Sequence, residues 1–246
     1  MKTSIPSPIR LPCLSLLAVA ALAGCGGNDA PALDDTAAHC FDDALHMPGN
    51  TLVVTYQDPQ QDAAVNVFTK TIQTLSDNAE FAGETGLKQI EEKVVRQAFV
   101  TMGWGNYTRH LFMRSHEDQS HTVYGSTYES GQALAWSRST TVYTPAYRDS
   151  LRLLKKNETL EYTQTGNVHI QQNIAPYEYD RHIESKVTAR YLGDEKISVP
   201  AGEFTACKFT INERTEWVYR GAVLKALTGE TESYRVQKIE LNGQPY

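Results

Sequence analysis

The sequence predicts a mainly β domain, a curved antiparallel sheet or half-barrel of about ten to twelve strands with one or two short helices. Three observations lead there. Residues 182–192, HIESKVTARYL, alternate: Ile183, Ser185, Val187, Ala189 and Tyr191 fall on one face, and His182, Glu184, Lys186, Thr188 and Arg190 on the other. That period of two belongs to an antiparallel strand with one buried and one hydrated face. Segments rich in Thr, Tyr and Val recur along the chain between turn signals. Tyr is used 13 times against 7 Phe, which suits sheets that keep one face wet.

Taken in order, strands are expected over 51–57, 64–75 and 106–115. Residues 120–129 and 134–143 flank a Ser-Gly-Gln turn and read as a hairpin. Further strands are expected over 159–165, 168–173, 182–192, 204–212, 215–220 and 232–241. In KISVPAGEFTACKFTI, residues 196–211, one strand runs into Pro200-Ala201-Gly202 and another resumes at Phe204. Pro200 ends a ladder because it has no N–H, and Gly202 permits the reversal. Residues 87–100 differ. Leu87, Ile90, Val94 and Ala98 follow a helical spacing, and Glu91, Glu92 and Lys93 favour helix. A helix is expected at the start of this segment, while its end alternates equally well as a strand. A shorter helical turn is expected within 145–156. So many strands must curl or close. A transmembrane barrel would need an apolar lipid-facing side on every strand, and 134–143 lacks one.

The N-terminus reads MKTSIPSPIRLPCLSLLAVAALAGCGG. Lys2 and Arg10 precede an apolar run over 11–23, the pattern of a secretory signal and too short to span a bilayer comfortably. The run ends in Leu22-Ala23-Gly24-Cys25, which resembles the lipobox of bacterial lipoproteins. The resemblance implies cleavage before Cys25, a lipid on that cysteine, and a mature chain held by two or three acyl chains, enough for stable anchoring. Gly26 rather than Asp follows the cysteine, which by the same analogy implies an outer-membrane lipoprotein facing the periplasm. The expected organisation is a signal peptide over 1–24, a lipidated cysteine and flexible tether over 25–39, and a single β-rich periplasmic domain over 40–246. The stretches LRLLKKNETLEYT, ISVPAGEFTACKFTI and TEWVYRGAVLKAL, within residues 151–241, resemble uncharacterised bacterial envelope proteins. Related domains in turn resemble the half-barrel of outer-membrane lipoprotein carriers. That likeness implies a curved sheet with helices closing an apolar mouth.

The chain carries 23 Lys+Arg against 29 Asp+Glu; loss of residues 1–24 removes two of the bases and leaves a net charge of −8. Such a chain is not built for nucleic acid or for electrostatic attraction to anionic lipid. Of the four cysteines, Cys13 leaves with the signal and Cys25 carries lipid, so Cys40 and Cys207 remain as an even pair in an oxidising compartment. A disulfide between them is expected, in preference to two buried thiols or a catalytic thiol.

Chemical motifs are weak. HEDQSH, residues 116–121, places two histidines five apart, whereas a zinc-protease helix needs them four apart. Across a turn His116 and His121 could meet beside Glu117 or Asp118, but a polar exposed turn is the favoured reading. YGSTYESG lacks the spacing of a nucleophile elbow, and GETGLK that of a phosphate loop. Asp34-Asp35, Asp42-Asp43 and Glu91-Glu92 read as solvated acids. Trp104, Trp136 and Trp217 read as core or sheet-face residues before they read as a ligand cage. No catalytic residue, metal or cofactor is expected. The expected function is that of a non-catalytic interaction or structural lipoprotein docked on an envelope protein. The alternative is a binding module for a lipid or other hydrophobic ligand held inside the curved sheet.

Overall fold

The computed structural model describes residues 35–60, 67–96, 105–132 and 135–246. The signal segment, Cys25, Asp34, Trp104 and residues 97–100 lie outside them. Among the described residues, thirteen strands form one antiparallel sheet in sequence order: β1 (Thr51–Gln57), β2 (Val67–Phe81), β3 (Glu84–Arg96), β4 (Tyr107–Ser115), β5 (His121–Gln132), β6 (Ala135–Asp149), β7 (Thr159–Gln172), β8 (Glu178–Val199), β9 (Gly202–Ile211), β10 (Arg214–Tyr219), β11 (Ala222–Thr228), β12 (Thr231–Leu241) and β13 (Gln244–Pro245). β1 also pairs with β12, from Leu52 opposite Leu241 to Gln57 opposite Arg235. The expected curved antiparallel sheet is therefore present, and it closes into a twelve-stranded meander with β13 appended to β12.

Turn chemistry fixes the hairpins. Ala82-Gly83, Arg220-Gly221 and Asn242-Gly243 each place two successive residues at positive φ, the backbone twist that two-residue hairpins require. Pro200-Ala201 joins β8 to β9 at the expected reversal. The alternation of 182–192 is kept: Ala189 and Tyr191 are buried, while His182, Glu184, Lys186 and Arg190 are exposed.

Three expectations need correction. Residues 87–96 are strand, not helix. Leu87 packs with Phe81 and Phe112 on one side of β3, while Ile90 packs with Met113 and Val123 on the other. Two-sided burial produced the spacing that imitates a helix. Residues 145–149 extend β6, and only Leu151–Leu153 form a 3₁₀ turn. Residues 35–39, expected in the tether, are part of the fold: Thr36 bridges Lys155, and Ala37–Cys40 and Asp43–His46 form further 3₁₀ turns, with Ala37 and Cys40 buried.

The segment 35–50 works as a plug. Its side chains enter two apolar clusters. Cys40 joins Tyr191, Cys207, Phe209 and Val218, and Leu45 joins Leu52, Val54, Trp217, Leu224 and Val236. A third cluster packs the tip of the β2–β3 hairpin on β4 and β5: Phe81 stacks on Phe112 with centroids 4.2 Å apart. Gly125 lies beneath it. A Cβ there would sit 2.2 Å from the Thr141 carbonyl oxygen and 2.4 Å from the Phe81 ring. Gly125→Ala is expected to destabilise the fold by at least about 1–3 kcal/mol, the usual cost of overpacking. Urea unfolding checks this, and an unchanged midpoint would contradict the packing.

Candidate functional site

Between the plug and the barrel wall lies a cavity of about 200 Å³. The wall supplies Ile72, Ile90, Leu111 and Met113 from β2, β3 and β4, and the plug supplies Phe41 and Leu45. The polar groups are His46 from the plug, His121 at the start of β5, Asp149 at the end of β6, and Arg152. Register explains the convergence. Ile90 is opposite Leu111, and His121 is opposite Asp149, so these residues share one face of the sheet.

The plug is held by polar contacts as well as apolar ones. Thr74 Oγ1 donates to the Leu45 carbonyl at 2.9 Å and Lys88 Nζ to the His46 carbonyl at 2.7 Å. The Gly221 N–H donates to the Cys40 carbonyl at 2.8 Å. Arg152, buried over the Phe41 ring, donates to Asp43 Oδ1 at 2.5 Å. Asp42 accepts from Arg220 at 2.8 Å and from the Tyr246 hydroxyl at 2.5 Å. The Asp42-Asp43 pair is therefore an anchor for the plug.

The imidazoles of His46 and His121 face each other with ring centroids 5.0 Å apart. Both nitrogens of His121 and Nδ1 of His46 are buried with no hydrogen-bond partner among the described residues. Burial, then the nearby Arg152 charge, lowers His46 to a pKa of about 3 and His121 to about 4. Burial raises the Asp149 carboxyl, against a hydrogen bond from the Leu151 N–H and the pull of Arg152. Near neutral pH the cavity thus presents two uncharged imidazoles, each with one donor and one acceptor nitrogen, beside a buried guanidinium and an apolar wall.

Further along the same interior face the wall turns polar. Lys70 pairs with Glu92 at 2.8 Å, and the Tyr107 hydroxyl donates to Glu92 at 2.6 Å. Burial alone would raise Glu92, but Lys70 and Tyr107 hold it below the usual carboxylate range. Glu91, on the opposite face, meets His110 at 3.2 Å. The adjacent acids are separately paired and do not form an acid–base couple.

The expected pair Cys40 and Cys207 is a disulfide with Cα atoms 5.9 Å apart. His116 and His121 do not meet. His116 Nε2 lies 2.7 Å from Thr122 Oγ1, in a turn where Asp118 accepts from Ser120 and Arg148. The turn reading holds for His116, while His121 points into the cavity. Trp136 carries Arg138 over its ring, and Trp217 lies buried under Lys208 and Lys225; neither lines the cavity. Sequence reasoning missed His46, Asp149 and Arg152. The one available signal was a lone Arg inside the apolar run Leu151–Leu154. No protein-family model matches the chain, and no curated protein or solved structure matches it significantly.

The histidines give a pH signature. Their folded pKa values lie below the unfolded value of 6.5, so the unfolded chain binds more protons as pH falls. Their contribution is complete above about pH 6.5 and is lost as pH falls towards 4 and 3, with a slope of at most about 1.4 kcal/mol per pH unit for each ring. Asp149 acts in the opposite sense: its raised pKa favours the fold at low pH and that contribution is lost as pH rises. In urea unfolding at pH 4.5 and 7, His46→Gln/His121→Gln is expected to lose less stability on acidification than the parent. Equal losses would exclude these rings as the source.

Proposed function

We propose that this protein is a lipid-anchored envelope barrel that binds a small amphipathic hydrophobe at its plug. The observation that carries the reading is the cavity, an apolar pocket of about 200 Å³ with buried, unpartnered imidazole nitrogens. A filled interior would suit a purely structural role. Polar atoms buried without partners cost about 1–3 kcal/mol each, and a ligand or water that bonds them removes that cost. The volume lies below the 300–1,000 Å³ of sites that enclose drug-sized molecules. The occupant is therefore short: an apolar body against Ile72, Ile90, Leu111 and Met113, and one hydroxyl or carboxyl head at His46, His121 and Arg152. The anchor in this reading is a lipid on Cys25, supported by the lipobox and by a disulfide suited to an oxidising compartment.

A second reading, docking on an envelope protein, rests on the β7–β8 hairpin tip. Ile174, Tyr177 and Tyr179 are exposed there together, and clustered exposed apolar side chains mark contact surfaces. The two readings are compatible, since the tip and the plug use different residues.

Native mass spectrometry with lipid extraction on the full chain, purified from membranes, tests the first reading. A stoichiometric hydrophobe is expected beyond the covalent anchor. Leu111→Trp, which fills the cavity, should lose it while staying folded; a clean mass in both proteins would remove the binding module. Cys25→Ser is expected to abolish membrane association in cell fractionation, and a membrane-bound variant would refute that cysteine as the anchor.

A further inference from the structure

The disulfide that clamps the plug sits inside a cluster of four ligand-bearing residues. His39, Cys40, Asp194 and Cys207 each offer one ligand atom, and those four atoms lie within 4.8 Å of one another. His39 Nε2 is 3.0 Å from Asp194 Oδ1 and 3.6 Å from Cys207 Sγ, and Asp194 Oδ1 is 3.5 Å from Cys207 Sγ. A tetrahedral zinc ion with Zn–S of about 2.3 Å and Zn–N and Zn–O of about 2.0–2.2 Å has ligand–ligand edges of roughly 3.3–3.8 Å. Two of the three edges given are at those lengths and the third is slightly short. What departs is the bonded sulfur pair, which would have to separate.

The surroundings are also those of a metal ligand set. His39 Nδ1 lies 2.9 Å from the Thr36 carbonyl. That contact turns Nε2 towards Asp194 and the sulfurs, the orientation that supporting hydrogen bonds impose on metal-binding histidines. The Tyr191 hydroxyl donates to Asp194 Oδ1 at 2.7 Å and orients the carboxylate. The side chains of His39 and Asp194 are 49% and 42% exposed, so solvent reaches the cluster, while both cysteines are buried. The four ligands come from the plug, from β8 and from β9, so an ion here would tie together the elements that the disulfide ties.

We propose that reduction of Cys40–Cys207 converts this clamp into a Cys₂-His-Asp site for a tetrahedral divalent cation such as Zn²⁺. The reductant is a dithiol. It supplies two electrons and two protons; its sulfurs become a disulfide, the Cys40–Cys207 bond breaks, and two thiols form. The cation then displaces the two thiol protons to solvent and takes two thiolates, the His39 imidazole and the Asp194 carboxylate. The plug is thereby held covalently when the chain is oxidised and by a metal ion when it is reduced. This inference is independent of any ligand in the cavity.

Cobalt(II) titration of the full chain in detergent, oxidised or reduced with a phosphine under anaerobic conditions, tests it. The reduced protein is expected to bind one cobalt with intense tetrahedral ligand-field and thiolate charge-transfer bands, and Zn²⁺ should bleach them. The oxidised protein should show neither. Cys40→Ser should lose the two-thiolate spectrum. His39→Ala and Asp194→Asn should each weaken binding by at least about tenfold, a loss that even supporting partners of a metal ligand produce. Where reduction unfolds the chain, cobalt should restore its circular dichroism in the parent but not in His39→Ala. A reduced protein that binds no more cobalt than the oxidised one, a His39→Ala spectrum like the parent's, or an unfolded chain that cobalt does not restore would overturn the proposal.

Discussion

The rest of this structure depends on how the N-terminal segment 35–50 packs against a closed wall of twelve strands. Barrel diameter grows with strand number, and about eight strands is the size at which inward side chains fill the interior unaided. Here the chain also packs its own N-terminal residues against the wall, on both faces of β9, where Ala206 and Cys207 are neighbours. The segment 35–50 brings Ala37, Cys40 and Leu45 into the apolar clusters of the wall, and its carbonyls at Cys40, Leu45 and His46 accept hydrogen bonds from Gly221, Thr74 and Lys88. Those bonds matter because a non-strand segment placed against a sheet has no ladder of its own to satisfy its backbone.

The fit is incomplete on one side. Where the plug meets β2 to β6 a cavity remains, and the polar groups that reach it are treated unequally. Arg152 is buried but finds Asp43 and the Phe41 ring. His46 and His121 face each other with three of their four ring nitrogens buried and unpartnered among the described residues, and desolvation keeps them neutral. The contrast with Lys70, Glu92 and Tyr107, which share one interior face and complete one another, shows that this fold can satisfy interior polar groups. Two unpartnered imidazoles side by side in one pocket are what give that cavity its functional interest.

Much of the wall was legible in the sequence, because a half-buried strand advertises itself by alternation. β1 spans the expected residues, and β8 exposes and buries the two faces that its alternation implied. The reversal at Pro200-Ala201 was legible because proline and glycine constrain the backbone locally. β3 was not legible as a strand, because Leu87 and Ile90 are covered on opposite faces and the alternation is lost. β11 was hidden for a related reason: Val223 interrupts the contrast between Ala222, Leu224 and Ala226. Closure between β1 and β12 depends on residues some 180 positions apart, which no local pattern records. The cavity was invisible for the same reason. His46, His121, Asp149 and Arg152 acquire their relation only when register and plug bring three distant segments together.

Plug, clamp and cavity are one mechanical unit. Phe41, Leu45 and His46 are at once plug residues and cavity lining, and Cys40, one residue before Phe41, is fixed to β9 by the disulfide. A displacement of the plug therefore dismantles one wall of the pocket, and an occupant that contacts both walls resists that displacement. The coupling is thermodynamic and reciprocal: a ligand at concentration [L] that binds only the plugged state adds RT ln(1 + [L]/Kd) to its stability. Whatever loosens residue 40 must weaken the pocket by the free energy it removes from the plugged state. The clamp is the covalent element of this unit and the pocket its open one. The physical state of Cys40–Cys207 therefore sets how firmly the barrel can hold anything between its plug and its wall.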